Sequence, residues 1–136
     1  MKKILFLLAV IIGLVGCNNN DNDQVVNNSV IGQWQLVAIL ADPGDGSGTF
    51  ITVDSQKRLT FNDDGTLNSN GNICSMDTAT DVATNGTYSE ENHTITGSCG
   101  VAPYPITFEF DSNGSLILNH PCIEPCRERY ARIIID

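Results

Sequence analysis

Residues 104–119 read YPITFEFDSNGSLILN, and this stretch decides the fold class. Apolar side chains occupy every second position from Tyr104 to Phe110, and Leu116 and Leu118 repeat the pattern after the DSNG turn. Alternation on both sides of a short turn is typical of a β-hairpin with one apolar face. This hairpin predicts two antiparallel strands.

The same pattern extends in both directions from this hairpin. KRLTFNDDGTLNSN and GTYSEENHTITGSC predict two more hairpins, RERYARIII predicts a last strand, and GQWQLVAIL predicts a first strand with Trp34, Leu36, Ala38 and Leu40 on one face. No stretch after residue 30 has apolar residues at helical spacing. Seven or eight short strands suit either a sandwich or a barrel. Tight hairpins between sequence neighbours favour an all-β, antiparallel up-and-down barrel of about eight strands over the longer crossings of a Greek key. The one long link is residues 41–54, ADPGDGSGTFITVD, which we expect at the rim or lid of the barrel.

The N-terminus predicts export and a lipid anchor. Residues 4–15 are apolar, follow MKK, and are too few to span a bilayer, which takes about 20 residues. The sequence LVGC that ends this segment resembles the lipobox of bacterial lipoprotein precursors. The resemblance implies cleavage after residue 16 and acylation of Cys17 by lipids such as palmitate. The predicted organisation is a signal peptide at 1–16, an acylated, Asn-rich tether at 17–29 and one domain at 30–136.

Charge and composition exclude some partners. Loss of Lys2 and Lys3 with the signal peptide changes the formal charge from −9 to −11, so binding to nucleic acid is not expected. A basic surface for anionic lipid headgroups is not expected either, so the acyl chains are the predicted attachment to the membrane. We expect a monomer in the cell envelope, on the periplasmic or the surface face of the outer membrane.

Cysteine usage agrees with export. Apart from Cys17, the chain has Cys74, Cys99, Cys122 and Cys126, an even number that allows three connectivities. We favour Cys122 with Cys126, because the prolines of HPCIEPC bend that loop, and Cys74 with Cys99, because these flank a central pair of strands.

The order of short motifs gives a family resemblance. GQW, LTFNDDGTL, GTY, SLIL and CIEPCRERYARI together resemble the lipocalin-like domain of bacterial lipoproteins, over roughly residues 30 to 135. The resemblance implies an eight-stranded barrel that is closed at one end by Trp34 packed under a basic side chain of the last strand. The matching basic residue is Arg129 or Arg132, and we expect the pair to be structural.

The predicted barrel interior is apolar and aromatic. It could form either a packed core or a pocket for one small hydrophobic ligand, because both need the same side chains. The leading hypothesis is a membrane-anchored barrel that binds or sequesters such a ligand through a mouth near residues 41–54. The alternative is a solid barrel that binds or inhibits a protein, for which Phe50, Ile51 and residues 101–103 are the sequence hints. The predicted inward residues are Leu36, Phe61, Leu67, Tyr88, Ile95, Tyr104, Ile106, Phe108, Phe110 and Leu118.

Catalytic and metal signals are weak. His93 and His120 are expected in solvated or turn positions, and a catalytic site would need one of them to share a cleft with a carboxylate. His120, Cys122 and Cys126 could bind copper or zinc, but outside the cytosol we expect the two cysteines to be oxidised. We therefore expect no enzymatic activity, no cofactor and no metal.

Overall fold

Nine β-strands make up the regular structure of the described residues. The computed structural model describes residues 29–98 and 105–134. The strands are β1 (Gly32–Ala41), β2 (Ile51–Thr52), β3 (Arg58–Phe61), β4 (Thr66–Ser69), β5 (Thr84–Ser89), β6 (Thr94–Gly97), β7 (Ile106–Phe110), β8 (Leu116–His120) and β9 (Cys126–Arg132). The predicted signal peptide, Cys17 and residues 18–28 lie outside the described residues.

These strands close into an eight-stranded antiparallel barrel. Each strand from β3 to β9 pairs with the next in sequence, and β1 closes the sheet by pairing with β9. The other edge of β1 pairs first with β3 and then with β2, so β2 and β3 together occupy one position in the barrel. The predicted all-β barrel of about eight strands is confirmed.

A β-bulge in β1 changes which side chains face inward. Leu36 lies opposite Tyr130, but the register shifts before Ala38, so that Ile39 lies opposite Glu128. Because directly opposed residues share a face, Ile39 points into the barrel while Ala38 and Leu40 point outward. Ala38 and Leu40 are buried, as the alternation predicts, but they lie outside the core cluster that contains Trp34 and Leu36. The prediction that all four share one face is therefore wrong, since strict alternation of faces does not survive an inserted residue.

The two ends of the barrel differ in their connections. Short turns at 62–65, 90–93 and 111–115 lie at one end, which we call the closed end. Longer segments at 42–50 and 70–83 lie at the other, the open end, together with the short segment 121–125. The prediction of a single long link is wrong, because residues 70–83 form a second one.

The core runs through the interior of the barrel. Trp34, Leu59, Leu67, Ile95 and Tyr130 are completely buried in one cluster. Aromatic contacts hold its centre, where the rings of Phe61 and Tyr88 meet edge to face with centroids 5.0 Å apart. Residues 70–83 contribute Ile73, which is buried in the same cluster.

Candidate functional site

The closed end is plugged by an indole under a guanidinium. Arg132 Cζ lies 4.2 Å from the centroid of the Trp34 ring, and Trp34 Nε1 donates a 2.7 Å hydrogen bond to the carbonyl of Val30. The Arg132 guanidinium also donates to the carbonyls of Ser29 and Ile31. These contacts fix residues 29–31, which lead into β1, against the end of β9 and close this end of the barrel.

The second predicted arginine has a different place. Arg129 lies outside the barrel, where its Cζ is 3.9 Å from the centroid of the Phe50 ring. Its Nε is 3.5 Å from a carboxylate oxygen of Asp111. Of the two candidates for the plug, the structure therefore places Arg132, and not Arg129, beside Trp34.

A buried polar cluster lies inside the barrel towards the open end. Lys57 Nζ is 2.8 Å from Glu128 Oε1. Glu128 Oε2 is 3.0 Å from His120 Nε2 and accepts a 2.8 Å hydrogen bond from the Tyr130 hydroxyl. We call Lys57, Glu128, His120 and Tyr130 the polar layer.

Every charged group of the polar layer has a partner, which offsets the cost of burying it. An unpaired buried charge is strongly unfavourable, whereas a pair with all its hydrogen bonds made can be tolerated. Burial first, and then the negative charge of Glu128, raises the pKa of Tyr130 well above 10.0. Tyr130 therefore stays protonated, and its hydroxyl donates a hydrogen bond to Glu128.

Residues 70–83 cover this layer from the open end. Lys57 Nζ donates to the carbonyls of Ser75 and Asp77, at 3.3 and 3.1 Å. The Ser55 hydroxyl donates a 2.9 Å hydrogen bond to the carbonyl of Thr78. Since Ile73 also packs into the core, this segment is held over the barrel by both polar and apolar contacts.

A second open-end segment is shaped by one carboxylate. Asp42 accepts hydrogen bonds of 2.7, 3.1 and 2.8 Å from the amides of Gly44, Gly46 and Gly48. The amide of Gly48 contributes most to lowering the pKa of Asp42 from 3.8. A Cβ at Gly48 would lie 2.7 Å from a carboxylate oxygen of Asp42, so only glycine allows this approach. Residues 42–48 are thus folded tightly around Asp42 at the rim.

The predicted interior residues lie where the barrel requires them, and they are packed together. Tyr88 and Phe110 are partly buried against the core cluster, and Tyr104 lies outside the described residues. The predicted residues that belong to the buried cluster itself are Leu36, Phe61, Leu67, Ile95, Ile106, Phe108 and Leu118.

The inner face at the rim is less enclosed. Ile51 is in register with Ile39, so both side chains are on the inner face of the barrel, but Ile51 is 67% exposed. Ile39 and Val53 are partly buried against the core. The inner wall that these three residues form near the open end is therefore apolar and partly exposed.

The disulfide loop completes the rim. Cys122 and Cys126 are joined by a disulfide with a Cα–Cα distance of 5.9 Å, so neither thiol is free to bind a metal. Within the described residues, no group of three or more His, Cys, Asp or Glu side chains could hold a metal ion. Cys74 is also disulfide-bonded, and Cys99, its predicted partner, lies outside the described residues.

The two histidines have opposite surroundings. His93 is exposed in the turn between β5 and β6, as expected. The side chain of His120 is only 4% exposed and contacts Glu128, so the prediction of a solvated or turn position is wrong for this residue. His120 is the last residue of β8 and lies on its inner face. The sequence HPC resembles a turn, so the sequence did not indicate that the strand includes this histidine.

Sequence reasoning missed Lys57 and Glu128. The alternation of inward positions could have indicated that both are buried. Lys57 is two residues before the inward Leu59. Glu128 is two residues before the buried Tyr130. A charged residue at an inward position predicts a buried partner of opposite charge. Sequence alone could not pair the two, because they are 71 residues apart.

Comparison with known protein families agrees with this geometry. A scan against family models matches the lipocalin-like domain over residues 30–113.

This chain belongs to the lipocalin-like domain family.

The family match covers the strands from β1 to β7. Searches of curated proteins and of solved structures give no significant match. The described part of the chain has no helix that is long and apolar enough to cross a membrane. A lipocalin-like barrel is compatible with binding a small hydrophobic ligand.

Proposed function

We propose that this protein is a cell-envelope lipoprotein, anchored through acyl chains on Cys17, whose lipocalin-like barrel binds a small hydrophobic ligand at its open end. The observation that carries the proposal is the position of Ile51. A large apolar side chain is 67% exposed on the inner face of the barrel mouth. Burial of such a side chain against a ligand contributes about 1.5 to 3 kcal/mol.

The ligand would enter above the polar layer. Ile39, Ile51 and Val53 supply an apolar wall, and residues 70–83 must move to admit more than a small group. The contacts that hold this segment in place include two Lys57 hydrogen bonds, the hydrogen bond from Ser55 to Thr78 and the packing of Ile73. We propose a binding role for the barrel and no catalytic role for Lys57 and Glu128, because the hydrogen-bonding groups of these two residues are used within the structure.

Paired rim variants test ligand binding. Ile51→Glu places a charge on the inner face, whereas Thr52→Glu places the same charge on the outer face one residue later. Binding of cis-parinaric acid, a fluorescent fatty acid, should weaken at least about tenfold in Ile51→Glu, which corresponds to about 1.4 kcal/mol, and should be unchanged in Thr52→Glu. Equal affinity in both variants would refute a site at the mouth.

An interaction module is the second candidate. Ile123 on the disulfide loop is fully exposed at the same end as Ile51, and both could contact a protein surface. Native mass spectrometry of the exported chain after incubation with a total lipid extract separates the two functions. A bound mass that is lost on denaturation supports ligand binding, and a ligand-free mass favours the interaction module.

A further inference from the structure

The Cys122–Cys126 disulfide lies in the most open part of the rim. Residues 121–125 are all exposed, and Cys122 is among them. A groove of about 270 Å³ borders the loop and is lined by both cysteines together with His120, Ile123 and Arg127. A thiol in solution can therefore approach this disulfide without unfolding of the barrel.

An imidazole lies next to the same disulfide. His120 is directly opposite Cys126 in the register of β8 and β9, which brings Cβ atoms to about 5 Å. The amide of Cys122 donates a 2.9 Å hydrogen bond to the His120 carbonyl. His120 is therefore next to both cysteines: it faces Cys126 across the strand pair, and its carbonyl is bonded to the amide of Cys122.

The polar layer orients this imidazole. Glu128 Oε2 holds His120 Nε2 at 3.0 Å, and Glu128 is itself balanced by Lys57 and bonded to Tyr130. The described part of the chain supplies no hydrogen-bond partner for His120 Nδ1. Because His120 lines the groove, Nδ1 is the ring nitrogen available to a reacting group there.

We propose that Cys122 and Cys126 form an exchangeable redox pair that oxidises a dithiol protein of the cell envelope, with His120 assisting the departure of the Cys126 sulfur. A thiolate of the dithiol attacks Cys122 Sγ, the S–S bond breaks, and Cys126 leaves as a thiolate that takes a proton in the groove. The second thiol of the partner then attacks the mixed disulfide and releases Cys122. The partner gains one disulfide, and its two electrons and two protons end on Cys122 and Cys126.

The charges around His120 favour this step. A protonated imidazole stabilises a neighbouring thiolate, and a better leaving thiolate speeds exchange. The charged groups that face His120 are Glu128 from β9 and, behind it, Lys57. Glu124 and Arg127 carry opposite charges at the groove itself. The activity is independent of ligand binding at the mouth, and either function could fail without the other.

The Cys74 disulfide provides an internal reference. Cys74 is partly buried against the core cluster, whereas Cys122 is exposed. The oxidised, exported full chain would be incubated with dithiothreitol at neutral pH, alkylated at timed intervals and mapped by peptide mass spectrometry. We expect alkylation of Cys122 and Cys126 to be about 100-fold faster than that of Cys74, since exchange requires access to the sulfur. Reduction of both disulfides at one rate would overturn the proposal.

Histidine variants test the assisting role. His120→Asn should slow reduction of the exposed pair about tenfold, because the departing Cys126 thiolate loses its neighbouring imidazole. His93→Asn, which changes the exposed histidine at the closed end, should have no effect. A mere loss of structure would speed reduction at Cys74 as well, so the sign of the change separates the two causes. An unchanged rate of reduction in His120→Asn would refute the assignment.

A trapping experiment tests the direction of attack. A thioredoxin-fold protein that lacks its resolving cysteine should be captured as a mixed disulfide at Cys122. Capture at Cys126 alone would contradict the proposed order, because that sulfur is then the one attacked.

Discussion

Replacement of Lys57 by methionine should strongly destabilise the barrel. Lys57 is completely buried, and its ammonium group has three acceptors, namely Glu128 Oε1 and the carbonyls of Ser75 and Asp77. Methionine fills a similar volume but cannot donate a hydrogen bond. The variant Lys57→Met therefore leaves the Glu128 carboxylate buried without its counter-charge and releases residues 70–83 from the barrel.

The magnitude follows from the loss of one partner in a buried pair. Removal of a single member of such a pair costs about 3 to 5 kcal/mol, whereas replacement of both members is often nearly neutral. We expect Lys57→Met to lower the free energy of unfolding by about 3 to 5 kcal/mol. The double variant Lys57→Met with Glu128→Gln should recover at least about 1.5 kcal/mol of that loss.

Urea unfolding followed by Trp34 fluorescence measures these values, since Trp34 is the single tryptophan and is completely buried. Arg58→Met is the matched control, because Arg58 is adjacent to Lys57 and exposed, and its guanidinium donates to Gln35 at the surface. Its effect should stay within about 0.5 kcal/mol. A loss below about 1 kcal/mol in Lys57→Met, or a double variant less stable than the single one, would refute the reasoning.

Three further predictions concern the plug, the pH dependence and the anchor. Arg132→Met should cost about 1 to 2 kcal/mol in urea unfolding, because it removes the cation–π contact with Trp34; no change would exclude a structural plug. The raised pKa of Tyr130 means that the unfolded chain loses this proton first, so stability should be fully present below pH 10 and fall as the pH rises towards the folded-state pKa. In Tyr130→Phe the alkaline loss should shrink, and an identical pH profile of the midpoint would contradict the assignment. Cys17→Ala, expressed behind a cleavable signal without a lipobox, should be soluble after alkaline carbonate washing, and persistence in the membrane fraction would exclude the acyl anchor.

The sequence alone determined the class of fold and its closure. Alternation in YPITFEF and in RERYARIII, and short turns such as DSNG, restrict the chain to antiparallel neighbours. Strands of this number suit a sandwich or a barrel, and the tight hairpins between sequence neighbours favour the barrel. Sequence also placed the indole of Trp34 near the end of the last strand through the family resemblance, and it favoured the disulfide between Cys122 and Cys126.

Only the tertiary structure decided how the open end is built. The bulge in β1 turns Ile39 inward and Ala38 outward, and no local pattern marks an inserted residue before pairing with β9 is known. Lys57 and Glu128 meet across 71 residues of chain, because barrel closure brings β3, β1 and β9 side by side. His120 changes from a predicted turn residue to a buried one for the same reason. Periodicity predicts which face of a strand a side chain occupies. The partner of a buried charge is known only from the closed barrel, because the two residues lie on strands that are far apart in sequence.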